Sequence, residues 1–188
     1  MKFFVLLTGS FILGISSLSA DALQAARVGK LEIADTRPVL DITRAACPLN
    51  PTKGSKVQGV VYFKKVDGGV LITADVTGLT PGKHGFHIHE FGDCSSPDAA
   101  SAGGHFNPYN KKHGGPDFAE RHAGDLGNIV ADEKGVAHYE RVDDLIKLNG
   151  KDTIIGRSMI VHSNPDDFNT QPTGNAGGRV ACGVIVER

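Results

Sequence analysis

Much is missing from this 188-residue sequence, and each absence excludes something. Neither sign of charge is in excess: 20 basic against 21 acidic residues leave a net charge of −1. That removes the broad basic footprint of a nucleic-acid-binding surface. The 24 glycines exceed ordinary usage but follow no Gly-x-y period, so a collagen-like rod is excluded. The apolar run near the N-terminus is broken by Gly9, Ser10 and Gly14 and is short for a bilayer span. No cysteine precedes Cys47, which argues against a lipid-anchored start. No internal repeat or low-complexity segment occurs, and no histidine precedes His84.

What is present begins with an address. Residues 1–22 have the form of a secretory signal peptide, with Lys2 ahead of an apolar stretch from Phe3 to about Ile15. Ala20-Asp21-Ala22 supplies an A-x-A site with cleavage after Ala22; cleavage after Ala20 is the alternative and would set Leu18 three residues from the cut. Export implies a periplasmic or secreted protein without stable membrane insertion, in a compartment that permits disulfides. Three cysteines allow one bridge and one spare thiol. Residues 23–38 read as a leading tail, and residues 39–188 as one globular domain large enough for its own core.

Short β-branched runs recur through that domain. Val39–Cys47, Lys56–Lys65, Val70–Thr77, Gly85–Phe91, Leu126–Ala131, Val136–Val142, Ile154–His162 and Arg179–Val186 predict about eight strands. Asp67-Gly68-Gly69 and Lys134-Gly135 are turn signals between them. The expected fold is all-β, an eight-stranded antiparallel sandwich or barrel. Residues 92–125 and 163–178 are long, glycine-rich and aperiodic, and loops of that kind in a compact domain usually carry function.

All eight histidines fall between His84 and His162. His87 and His89 form H-x-H on a predicted strand, whose period of two points both imidazoles to one face. Such a pair can clamp a metal, though a chance surface pair explains H-x-H equally well. The first long loop adds His105, His113, His122 and Asp125. Three imidazoles and a carboxylate make a closed four-ligand set of the kind that suits structural zinc. His162 ends a strand in Met-Ile-Val-His and either joins His87 and His89 across the sheet or packs as an ordinary strand-end histidine. Three or four imidazoles suit copper. For His84 and His138 a core or surface role is the default, with His84 as a brace behind a ligand the alternative.

These residues resemble the copper/zinc superoxide dismutases, and in particular an exported, periplasmic-type bacterial member. The resemblance is carried by Gly85-Phe86-His87-Ile88-His89-Glu90, Gly104-His105-Phe106-Asn107-Pro108, His113-Gly114-Gly115-Pro116, Glu120-Arg121-His122-Ala123-Gly124-Asp125 and Gly174–Gly183. It implies a Greek-key β-sandwich/barrel and an enzyme that dismutates superoxide to oxygen and hydrogen peroxide. It implies one copper ion per subunit on His87, His89, His105 and His162, and one zinc ion on His105, His113, His122 and Asp125. His105 would bridge the two, Asp166 would link His87 to His113, and Arg179 would attract superoxide. On spacing alone Asp166 is an ordinary loop acid, and for Arg179 a surface strand charge is an alternative. The family's intrachain disulfide falls on Cys94 and Cys182, leaving Cys47 as a buried thiol. Residues 163–178 are short and lack the Glu-Glu and Lys cluster of cytosolic members, so steering would rest on Arg179 with Lys111 and Lys112, or on nothing comparable. The implied assembly is a homodimer, with a monomer as the alternative. A metal buffer or copper chaperone, a copper-only dismutase and a metal-free adhesion sandwich are the rival functions.

Overall fold

A computed structural model describes residues 41–188; the expected signal peptide and the leading tail lie outside the described residues. Among the described residues nine strands form: β1 Arg44–Pro51, β2 Gln58–Val66, β3 Gly69–Thr77, β4 Gly82–His89, β5 Asp125–Ala131, β6 Ala137–Asp143, β7 Ser158–His162, β8 Arg179–Val184 and β9 Val186–Glu187. One 3-10 turn, Ala100–Ala102, interrupts the first long loop.

All pairings between the strands are antiparallel, in the order β2-β3-β6-β5-β4-β7-β8-β1-β9, and a further β1–β2 ladder closes the sheet. Counting β9 as the continuation of β8, this is a closed eight-stranded barrel. The β3–β6 and β4–β7 neighbours are not consecutive in sequence, which is the Greek-key crossover. β5 and β6 meet through one registered pair, Ala131 and Ala137, so the barrel is thin at that seam.

Most strands shift by up to three residues at an end, β4 among them (Gly82–His89 against Gly85–Phe91), and two differ by more. β1 starts at Arg44 and runs to Pro51, later than Val39–Cys47. Pro48 lacks an amide hydrogen and argues for a stop. The neighbouring ladder lapses where Pro48 sits: Ala45 and Ala46 pair Glu187 and Val186, then Asn50 and Pro51 pair Cys182 and Ala181. β7 is shorter than Ile154–His162, because Gly156 adopts φ +80° and Arg157 closes a turn onto the Ile154 carbonyl.

The core fills with inward side chains, among them Phe63, Ile72, Phe86, Ile88, Ile129, Met159 and Val161, all essentially sealed from solvent. Ordinary barrel strands such as β2 and β3 alternate buried and exposed positions. β4 does not: His84 through His89 are all buried. Phe86 and Ile88 pair Val161 and Met159 on the core side. His87 and His89 face the other way, beneath the two long loops. Ile160 on that outer face belongs to a second apolar cluster with Ala99, Ala102 and Cys182. Burying each large apolar side chain stabilises by about 1.5–3 kcal/mol, so the core face fixes β4 and its pleat fixes the histidines.

Candidate metal centre

β4 presents His87 and His89, and β7 presents His162 beside them, all at most 4% exposed. The fourth ring, His105, comes from the first long loop and is drawn onto β4 by an antiparallel bridge to His89. The His87 and His105 ring centroids are 4.1 Å apart, and Nε2 of His89 lies 3.4 Å from Nε2 of His162. One nitrogen from each of these four histidines falls within 4.8 Å of the others.

Each ring is held by its far nitrogen. His87 Nε2 meets Asp166 Oδ2 at 2.8 Å, and His89 Nδ1 meets the Gly103 carbonyl at 3.0 Å. His162 Nδ1 meets the Gly177 carbonyl at 3.2 Å, and His105 Nδ1 meets Asp125 Oδ1 at 2.8 Å. A carbonyl only accepts, so His89 and His162 carry their proton on Nδ1 and turn a lone pair inward. Burial, with neighbouring imidazoles, holds His89 and His162 well below the ordinary histidine range, and burial first, then His87, brings His105 down to about 3. Burial also lowers His87. These rings are neutral at pH 7, the state that binds metals.

A second group shares His105. Nδ1 of His105, His113 and His122 lie 2.8, 3.1 and 3.2 Å from Asp125 Oδ1. Asp125 is fully buried, and its Oδ2 accepts the N–H groups of Gly114 and His122. The loop reaches this geometry because Gly124 lies against the Ile88 carbonyl, where a Cβ would collide. Burial pushes the Asp125 carboxyl up, but the three imidazoles together hold it well below the usual carboxylate range. Burial likewise opposes charge on His113, yet Asp125 and Asp166 raise it to about 9.

The unpartnered atoms show what this pocket is built for. Buried His87 Nδ1, His105 Nε2, His113 Nδ1 and His122 Nδ1 have no hydrogen-bond partner. His113 and His122 approach Asp125 closely without the alignment of a hydrogen bond. Four ligands about 2.0–2.1 Å from a tetrahedral ion stand about 3.3 Å apart, close to the spacing here. Buried polar atoms are seldom left unsatisfied, and these converge on two centres with the donor chemistry of copper and zinc. The residues present fit both ions.

Asp166, buried in the second long loop, links the groups: Oδ2 to His87 Nε2 and Oδ1 to His113 Nε2 at 2.9 Å. Arg179, at the start of β8, is half-buried and donates to the Ala99 and Gly103 carbonyls. The first long loop, which carries those carbonyls, is anchored by the Cys94–Cys182 disulfide. Cys47 is a free, buried thiol. His84 bonds the His162 carbonyl at 2.8 Å, which is the bracing alternative, whereas His138 is exposed beside Asp75.

Sequence reading missed two supports. Asn128 on β5 accepts the Asp166 N–H and donates to the Asp166 carbonyl at 2.7 and 2.9 Å. Arg121, 3% exposed, pairs with buried Asp143 at 2.7 Å and reaches the carbonyls of His122 and Asp125. A buried arginine beside His122 leaves no periodic signal. Its neighbour His122 was the only hint.

Residues 57–185 match the family model described as copper/zinc superoxide dismutase (SODC). The chain is 42% identical over 158 residues to an extracellular superoxide dismutase [Cu-Zn] of Brugia pahangi, covering 79% of each sequence. Among solved structures it is similar to that of the clock protein EA4, with 43% identity, a TM-score of 0.75, and coverage of 81% of this chain and 99% of that one.

Proposed function

The chain belongs to the copper/zinc superoxide dismutase family and dismutates superoxide to oxygen and hydrogen peroxide; we propose that His87, His89, His105 and His162 hold its copper, and His105, His113, His122 and Asp125 its zinc, one ion of each per subunit. Copper, when bound, would supply the one-electron chemistry, an electron accepted from one superoxide and returned to a second. The observation that supports the assignment is the convergence of unpartnered buried imidazole nitrogens on two centres that share one ring, His105.

The protein residues then have separable tasks. His87, His89 and His162 are kept neutral by burial and oriented by their far-side bonds, so no reorganisation is needed at the copper half. His105 turns Nδ1 towards Asp125 and leaves Nε2 unpartnered on the other side, so it would hold the zinc through Nδ1 and the copper through Nε2, and Nε2, when free of copper, could carry a proton to the product. Asp125 keeps His105 oriented from the zinc side. Asp166 ties the two halves through His87 and His113. Arg179 is a fixed cation beside the copper half that draws in a small anion and donates hydrogen bonds to it, with Lys111 and Lys112 as exposed charges further out.

The disulfide and the extracellular relative support a secreted protein. Within that, residues 1–22 serve as the signal peptide, 23–38 as a tail and 39–188 as the catalytic barrel. Cys94 follows Asp93 directly and lies far ahead of His105, a placement that resembles the exported bacterial members and supports the periplasmic type, and the nematode relative supports release into the medium. Among the described residues no helix is long and apolar enough to cross a membrane. The family supports a homodimer.

Metal content and superoxide turnover of the mature protein and of His105→Ala test the assignment. Wild type should hold about one copper and one zinc. The variant should lose turnover and bind both ions more weakly. Unchanged binding of both ions by His105→Ala would remove the bridge.

A further inference from the structure

Residues 163–178 contain no lysine or arginine, so this loop is not a cationic guide. Its polar atoms are used elsewhere. Gln171 Oε1 accepts the His113 N–H at 2.8 Å, and Gln171 Nε2 donates to the His113 carbonyl at 2.9 Å. One side-chain amide thus satisfies both polar groups of one residue's backbone, 58 positions away in sequence. Only an amide carries donor and acceptor together in this way; a carboxylate only accepts.

Gln171 projects from a braced turn. Asp167 accepts the N–H groups of Asn169 and Thr170, and the Thr170 hydroxyl donates to it at 2.6 Å. On the other side Gly174, at φ +67°, lies so close to the Asp166 carboxylate and His113 Nε2 that a Cβ would overlap both. The same amide-to-backbone device holds Asp166 through Asn128 and Lys111 through Asn107.

We propose that Gln171 is a positioning residue for the His113 ligand, so that in this chain the second loop acts as a latch on the zinc half. By fixing the His113 backbone, the amide aims Nδ1 at the position shared with Asp125, and it couples order in the loop to retention of the ion. The inference rests on the assignment of His105, His113, His122 and Asp125 to zinc.

The test is zinc release from the zinc-loaded protein into a chromogenic chelator. Gln171→Ala should release zinc about three- to tenfold faster, below the upper range for outer-sphere partners because the amide borders solvent. Gln171→Glu should be faster still, since a carboxylate oxygen would face the His113 carbonyl. Cobalt(II) in place of zinc should show shifted visible bands in both variants, while the melting temperature of the metal-free proteins stays at the wild-type value. Wild-type release rates and an unshifted cobalt spectrum would overturn the latch. So would a fall in melting temperature as large without metal as with it, which would make Gln171 a general loop brace. Wild-type protein that takes up no zinc, or zinc retention indifferent to Asp125→Asn, would overturn the ligand assignment and the latch with it. A normal Asp125→Asn loss beside a silent Gln171→Ala would remove the latch alone.

Discussion

The two halves of the centre are built by different means. His87, His89 and His162 stand on β4 and β7, where the strand pleat sets their spacing and a packed apolar face behind them sets their depth. His113, His122 and Asp125 approach along a loop, with only Asp125 on a strand, at the very start of β5. Nothing periodic spaces them. Side-chain bonds do it instead: Asp125 to two backbone N–H groups, Arg121 to two carbonyls, Asn128 and Gln171 to the backbones of Asp166 and His113. Apolar packing is non-directional and shared among many contacts, whereas each polar bond is individually small and its loss leaves a buried group unpaired. The strand-borne half is therefore pre-formed, and the loop-borne half depends on a few named contacts.

The disulfide offers the largest disturbance of that contrast. Cys94→Ser with Cys182→Ser opens a loop of 88-residue separation, worth about 4–5 kcal/mol on the chain-entropy account. Denaturant unfolding should show a loss of that order. Hydrogen exchange should rise first in residues 94–105, which carry His105 and the carbonyls that hold Arg179, while β4 and β7 stay protected. Equal exchange in the strands would break the comparison.

Arg121→Met comes next. It removes the nearest cation from the buried Asp143 carboxylate, which keeps the Leu145 and Ile146 N–H groups and Arg141 Nε at 3.6 Å, so the loss should not exceed about 3 kcal/mol, the low end for a broken buried pair. Zinc affinity measured by chelator competition should fall with it, and copper affinity should change far less. A parallel loss of copper would mean that the two halves share one support.

The smallest effect sharpens the contrast from the strand side. Cys47, on β1, has its thiol pushed up to about 12 by burial. A thiol-specific reagent at pH 8 should leave it unmodified in the native protein, even after chelation has loosened the loops. Because burial raises this thiol, it stabilises the fold below about pH 9, the ordinary value of a free thiol, and that contribution is lost as pH climbs towards 12. Rapid labelling on metal removal alone would show the strands opening together with the loops.

The same division decides what could be read in the sequence. H-x-H on β4 was legible because a strand converts spacing into geometry, and the Gly68 and Gly135 turns were legible because only glycine sits easily at φ +85° and +73°. The membership of His113, His122 and Asp125 was legible as chemistry, through their density and type. Their arrangement was not, since it rests on contacts such as Gln171 with His113 and Asn128 with Asp166 that join distant positions. The β1 boundary was missed for a related reason. Pro48 looks like a stop until the lapse in its neighbour's ladder is known, and that lapse belongs to Ile185, which bonds Arg157 instead.

One consequence of the closed sheet concerns timing. β1 pairs with β2 on one side and with β8 and β9 on the other, and the Arg188 amide bonds back to Arg44. A chain emerging with β1 first holds one wall of its barrel open until β8 arrives some 130 residues later. Such long-range closure is slow compared with local contacts. The growing polypeptide thus stays unable to shut its barrel until β8 has been made.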